Sequence, residues 1–179
     1  MNVSIDDLHI YTIGHSNLTI DMFINMLKFH KIKGIIDIRS VPYSRFHPQF
    51  NKEKLMDELK KADIFYLFKG DILGGRITDV TCYKSKALPN RKINIAELID
   101  YDELSKRTWF NEGIQQLIEL ALSHRISVMC SEENPSRCHR SLLVSRRLLE
   151  KNFKVFHIRK DGRLDYAETE QSYTQMRLF

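Results

Sequence analysis

Short apolar runs alternate with longer amphipathic stretches along most of the chain. His9 to Ile13, Ile35 to Ile38, Ile64 to Phe68, Ile126 to Cys130 and Val155 to Ile158 are brief and rich in β-branched and aromatic residues, which predicts strands. Between them, Ile20, Phe23, Ile24 and Leu27 recur at helical spacing, as do Ile114, Leu117, Ile118, Ala121 and Leu122. Leu55 and Leu59 mark a shorter helix. Leu142, Leu143 and Leu149, interrupted by Arg146 and Arg147, mark another. The order is β-α-β-α, which favours a mainly parallel sheet with helices on both faces. Strands that are apolar throughout fit burial from both sides. The expected fold is therefore α/β, with about five strands in a single domain over 1–170 and a tail over 171–179. Residues 77–107 break the alternation. This polar stretch carries Pro89 and several basic residues and reads as a lid or an exposed insertion, with Ile95 to Ser105 able to form a small helix.

Composition narrows the class. A chain of 179 residues is long enough to bury a core without staples. No apolar run approaches the length of a membrane span, and the start lacks the basic and apolar regions of a signal peptide. The expectation is a cytoplasmic protein. Three cysteines, an odd number, argue against a disulfide framework and for reduced thiols. The net charge of +5 permits nucleic-acid contact without requiring it.

In an open parallel sheet, ligands gather beyond the carboxyl ends of the strands, and the unusual residues of this chain fall at those exits. They are Gly14-His15-Ser16-Asn17, Asp37-Ile38-Arg39-Ser40-Val41-Pro42, Gly70-Asp71 with Gly74-Gly75-Arg76, and the long stretch Cys130 to Arg140. Thr12-Ile13-Gly14-His15-Ser16, Asp37 to Pro42, Leu73 to Arg76 and Met129-Cys130-Ser131-Glu132 with Cys138-His139-Arg140, taken in that order, resemble the uncharacterised bacterial and archaeal family known as domain of unknown function 488. The resemblance implies an α/β fold with these blocks gathered at one site. It carries no established reaction.

The residues suggest roles of their own. Cys138 to Arg140 should open a helix, where free N–H groups and the dipole bind anions and lower a thiol's pKa, so Cys138 is a candidate nucleophile or metal ligand. Glu132, with His139, is a candidate for proton transfer or for attack on a sugar carbon; its bland alternative is a salt bridge to Arg39 or Arg140. Asp37 is a further candidate acid, or else simply orients Arg39. His15, Ser16, Arg39, Arg76 and Arg140 are candidates for holding an anionic substrate. A cysteine at a strand exit followed by an arginine is similar to the phosphate loop of cysteine phosphatases, but one residue too many separates Cys130 from Arg137 and two glutamates intervene. Neither a Cys-x-x-Cys nor the usual zinc spacing occurs. Metal and cofactor stay unassigned. Cys82 has no chemical partner nearby in sequence.

Two segments point toward DNA. Tyr43, Arg45, Phe46, His47 and Phe50 mix aromatic and basic side chains, as single-strand-binding surfaces do. Gln175-Met176-Arg177-Leu178-Phe179 resembles the bacterial sliding-clamp-binding pentapeptide, in which Gln175 bonds at the rim while Leu178 and Phe179 fill pockets. The leading expectation is a clamp-recruited enzyme acting on a nucleotide, nucleobase or damaged DNA end. The alternatives are a non-catalytic clamp-associated or nucleic-acid-binding module, and a thiol- or metal-dependent redox protein.

Overall fold

A computed structural model describes residues 9–89 and 95–167. The tail motif 175–179 lies outside the described residues. Six strands form one sheet: β1 (His9–Gly14), β2 (Gly34–Asp37), β3 (Phe65–Phe68), β4 (Ile126–Cys130), β5 (Lys154–Ile158) and β6 (Leu164–Tyr166). Their order is β3-β2-β4-β1-β5-β6, parallel except for β6, which pairs antiparallel with β5. The expected α/β architecture is present. The sixth strand is an addition, a three-residue edge closed by a short turn at Gly162.

Strand alternation divides the core in two. Ile10, Ile36, Ile38, Val128, Cys130 and Val155 point to one face, where α6 (Thr108–Ser123) covers them with Phe110, Ile114 and Leu117. Tyr11, Ile13, Ile35, Met129 and Ile158 point to the other, under α1 (Ile20–Phe29) and α2 (Lys52–Lys61). Helix α1 begins where Thr19 caps it by accepting from the Met22 N–H, and it buries Phe23 and Leu27. Helix α3 (Gly70–Leu73) follows β3 directly.

The described residues of the stretch 77–107 are anchored in the first core rather than standing clear of it. Ile77, Cys82, Tyr83, Ile99, Tyr101 and Leu104 are all buried there, and Tyr83 bridges to Ile99. Its short helices are α4 (Ile95–Leu98) and α5 (Tyr101–Leu104). After β4, the loop to Cys138 leads into a π-helix, Arg140–Ser145, which continues as α7 (Arg146–Glu150). The Ser145 hydroxyl donates to the Arg140 carbonyl at 2.8 Å, satisfying an acceptor within the wide turn.

Candidate functional site at the carboxyl edge of the sheet

All the strand-exit blocks meet at one edge, because β1, β2, β3 and β4 run parallel and end together. The loops are stitched by main chain: the His15 N–H donates to the Cys130 carbonyl at 3.0 Å and the Ser16 N–H to that of Ser131 at 2.9 Å. Approach is so close that a Cβ on Gly14 would lie 1.7 Å from the Glu132 carbonyl oxygen. Only glycine fits there. Ser16 adopts a φ of +44°, a conformation unusual for a residue with a side chain.

Below this edge, two polar clusters lie on opposite faces of the sheet. On the α1/α2 face, Asp37 and Arg39 form a buried pair: Arg39 Nε donates to both carboxylate oxygens at 3.0 and 3.2 Å, and Nη2 donates to Oδ2 at 2.6 Å. The Asp37 carboxylate also accepts the Arg39 backbone N–H at 3.0 Å and the Tyr66 hydroxyl at 2.8 Å. Arg39 further donates to the Phe50 carbonyl at 2.9 Å, and its Nη1 lies 3.3 Å from His15 Nε2. Since Nη1 can only donate, His15 Nε2 accepts and its Nδ1–H donates to the Ser16 carbonyl at 3.0 Å. The imidazole is neutral. Burial, then the Arg39 charge, bring its pKa down to about 4. It stacks on Phe50 with ring centres 4.3 Å apart.

On the α6 face, Arg140 is fully buried and organises the second cluster. Its Nη1 donates to Cys130 Sγ at 2.9 Å and to the Glu132 carbonyl, its Nη2 to the Glu133 carbonyl at 2.7 Å, and its Nε to Thr12 Oγ1 at 3.2 Å. Thr12 in turn is 2.7 Å from His157 Nδ1. Burial, then the Arg140 charge, lower the His157 pKa to about 4. The sulfurs of Cys130 and Cys138 are 2.7 Å apart. Burial alone would push the Cys130 thiol up, but the Cys138 hydrogen bond and the Arg140 guanidinium bring it down to about 6. Cys138 goes the other way, raised by burial and by the charge on Cys130. Arg140 and the neighbouring thiol thus favour ionisation at Cys130 over Cys138.

His139 links the clusters across the edge. Its Nε2–H donates to the Ile38 carbonyl at 3.0 Å, leaving Nδ1 facing Cys138 Sγ at 3.8 Å. Gly75 packs against the His139 side chain, and the Arg76 N–H donates to Ser40 Oγ at 2.9 Å, which seats the Gly74-Gly75-Arg76 turn at the rim. The loop before Cys138 is pinned from the side as well: Arg159 reaches both Glu133 carboxylate oxygens at 2.9 Å and Asp165 at 2.5 Å, and it holds the Glu133 pKa low.

The strand-exit residues expected from sequence lie near one edge of the sheet, divided between its two faces and in different states. Asp37, Arg39, His15, Cys138 and Arg140 are buried, and Arg39 and Arg140 bond to protein acceptors. Ser16 and His139 are partly accessible; Glu132 and Arg76 are exposed. Arg140 meets the main-chain carbonyl of Glu132, with the Glu132 side chain in solvent. The inward carbonyls of Glu132 and Glu133 also make this loop the reverse of an anion cradle, whose N–H groups point inward. The thiol pushed down belongs to Cys130, to which Arg140 Nη1 donates at 2.9 Å, and not to Cys138, which burial and the neighbouring Cys130 push up. Thr12, His157, Tyr66 and Phe50 complete the clusters; His157 and Tyr66 carried no expected role, and Phe50, expected with the stacking segment, is instead fully buried in the core. For Thr12 and His157 the signal was a polar residue within an otherwise apolar strand. Among the described residues, no group of three or more His, Cys, Asp or Glu side chains is arranged to hold a metal ion, and no helix is long and apolar enough to cross a membrane.

A parallel sheet covered on both faces, with its polar loops stitched together at the carboxyl edge, defines an α/β protein of the doubly wound class. The family model described as a domain of unknown function, DUF488, matches residues 19–147, and the chain belongs to that family. No curated protein and no solved structure matches it.

Proposed function

We propose that this protein is a DNA-associated enzyme that acts on a nucleotide, nucleobase or damaged DNA end at the carboxyl edge of the sheet, and that Gln175, Leu178 and Phe179 recruit it to the DNA polymerase sliding clamp. The observation that carries the reading is the segment beside His15. Tyr43 and Phe46 are 64% and 83% exposed, and the Arg45 guanidinium lies 6.0 Å over the Phe46 ring. His47 approaches His15, with ring centres 6.5 Å apart. Large exposed aromatic rings interleaved with cations stack on bases and meet phosphates. Arg39 and Arg140 are committed to protein partners, so of the arginines singled out from sequence Arg45 and Arg76 are the ones to hold an anionic group. Glu132 is the acid that substrate reaches, and His139 orients the loop that bears it.

A non-catalytic binding module is the second reading, favoured by the inward commitment of Asp37, Arg39 and Arg140. One set of variants separates them. Phe46→Ala and Tyr43→Ala should each weaken binding of a short single-stranded oligonucleotide by about 1–3 kcal/mol, read by fluorescence anisotropy; unchanged affinity would remove the stacking surface from the proposal. Glu132→Gln should abolish turnover of nucleoside or oligonucleotide substrates while binding persists, whereas a binding module has no turnover to lose. Deleting Gln175 to Phe179 should abolish clamp binding and leave oligonucleotide affinity intact. Equal clamp binding by the shortened chain would end the recruitment idea.

A further inference from the structure

We propose that Cys130 and Cys138 are a peroxide-sensitive dithiol that closes to a reversible intramolecular disulfide. The inference is independent of whether the rim binds nucleic acid. Two thiols that are merely packed in a core have no reason to sit with their sulfurs 2.7 Å apart, and a disulfide bond is about 2.05 Å, so closure requires a movement of roughly 0.7 Å. The two residues come from different segments, the end of β4 and the loop just before the π-helix, held in register by the Arg140 bonds to the intervening loop. Arg140 Nη1 donates to Cys130 Sγ at 2.9 Å, which keeps that sulfur in its nucleophilic form. His139 Nδ1 faces Cys138. A nucleophilic sulfur, a resolving thiol beside it and a base beside the resolving thiol are the parts such a reaction needs.

The chemistry balances with a small hydroperoxide as oxidant. The Cys130 thiolate attacks one peroxide oxygen and the O–O bond breaks, leaving a sulfenic acid on Cys130 and hydroxide or alkoxide that takes up a proton. The Cys138 thiol then gives its proton to His139 Nδ1 and attacks the Cys130 sulfur. The S–O bond breaks as hydroxide departs and recovers that proton as water. Two thiols lose two electrons, and the peroxide is reduced to water and a second water or an alcohol. Cys130 and Cys138 are only 1% and 2% exposed, so a small oxidant such as hydrogen peroxide is favoured over a bulky one such as glutathione disulfide.

The test uses the full chain and its third thiol as internal control. Cys82 is buried in the core beside Arg107 and Asp79, with no disulfide. After stoichiometric hydrogen peroxide, denaturation and alkylation, mass spectrometry should find Cys82 alkylated and Cys130 linked to Cys138, with all three cysteines alkylated once dithiothreitol is added first. Cys138→Ser should stop at a Cys130 sulfenic acid that dimedone traps. Should that variant not fold, the wild-type disulfide map decides by itself. Three alkylated thiols after peroxide, a dimedone adduct formed first on Cys82 or Cys138, or a mixed disulfide with glutathione formed as readily as the internal one would each overturn the proposal.

Discussion

The Asp37 cluster and the Arg140 cluster are built on the same plan and differ in the anion. Each places one arginine beneath the carboxyl edge of the sheet, bonds it to main-chain carbonyls, and sets a neutral histidine nearby. On the α1/α2 face the counter-charge is a carboxylate that accepts from Arg39, from the Arg39 backbone and from Tyr66. On the α6 face it is a close thiol pair whose Cys130 sulfur accepts from Arg140, which favours its ionisation. A carboxylate does not change oxidation state under oxidants that convert a thiolate, and here it fixes geometry. A thiolate can lose electrons, so the second cluster holds the loop in a state that chemistry can change. The comparison assigns a framework role to one face and a responsive role to the other.

The largest effect should come from removing the two anions in parallel. Asp37→Ala leaves the buried Arg39 charge without its partner, and breaking a buried pair in this way costs about 3–5 kcal/mol. Cys130→Ala should cost less, about 1–3 kcal/mol, because Arg140 keeps Thr12 and the carbonyls of Glu132 and Glu133, and because the remaining Cys138 is itself ionisable. Urea unfolding of both variants at neutral pH decides it. Equal losses would mean the thiolate is as structural as the carboxylate and would break the contrast.

Acid should act next, and on both faces. The folded-state pKa of about 4 for His15 and for His157 lies below the ordinary 6.5, so the unfolded chain takes up these protons first. This stabilisation is complete above pH 6.5 and is lost as pH falls through about 4. A shift of that size corresponds to about 3 kcal/mol for each histidine. Urea midpoints measured from pH 7 to pH 5 should fall steadily, and His157→Phe should remove about half of the slope. A flat profile would show that neither imidazole is held neutral.

How much of this could be read from sequence follows from what each feature depends on. Strands β1 to β5 were legible because local apolar runs report burial from both sides. Strand β6 was not: Leu164, Asp165 and Tyr166 are too short a run to display an alternation, and they pair with β5 where the chain turns back at Gly162. The strand-exit blocks were legible as unusual residues at places where a parallel sheet collects ligands. Their partners were not, since pairing is set by which face a strand residue takes and by strand order. Arg140 and Glu132 are eight residues apart, a spacing that invites a salt bridge, yet the π-helical start of the helix aims the guanidinium at carbonyls and sulfur. The Asp37 and Arg39 pair was anticipated because both lie on one short segment.

The smallest and most specific effect concerns Thr12, the joint between Arg140 and His157. Arg140 Nε can only donate, so Thr12 Oγ1 accepts from it and turns its own O–H toward His157 Nδ1. That hydroxyl therefore selects the neutral imidazole with an unprotonated Nδ1. Thr12→Val is nearly isosteric, keeps the β-branch and removes both bonds, leaving two buried polar atoms without partners at a cost of about 1–3 kcal/mol. Thr12→Ser retains the hydroxyl and should cost less. In a double-mutant cycle with His157→Phe, the Thr12→Val penalty should shrink, because the imidazole that needed the hydroxyl is gone. If the penalties simply add, Thr12 acts through packing alone, and the histidine on the responsive face is tied to Arg140 by proximity rather than by a hydrogen-bonded chain.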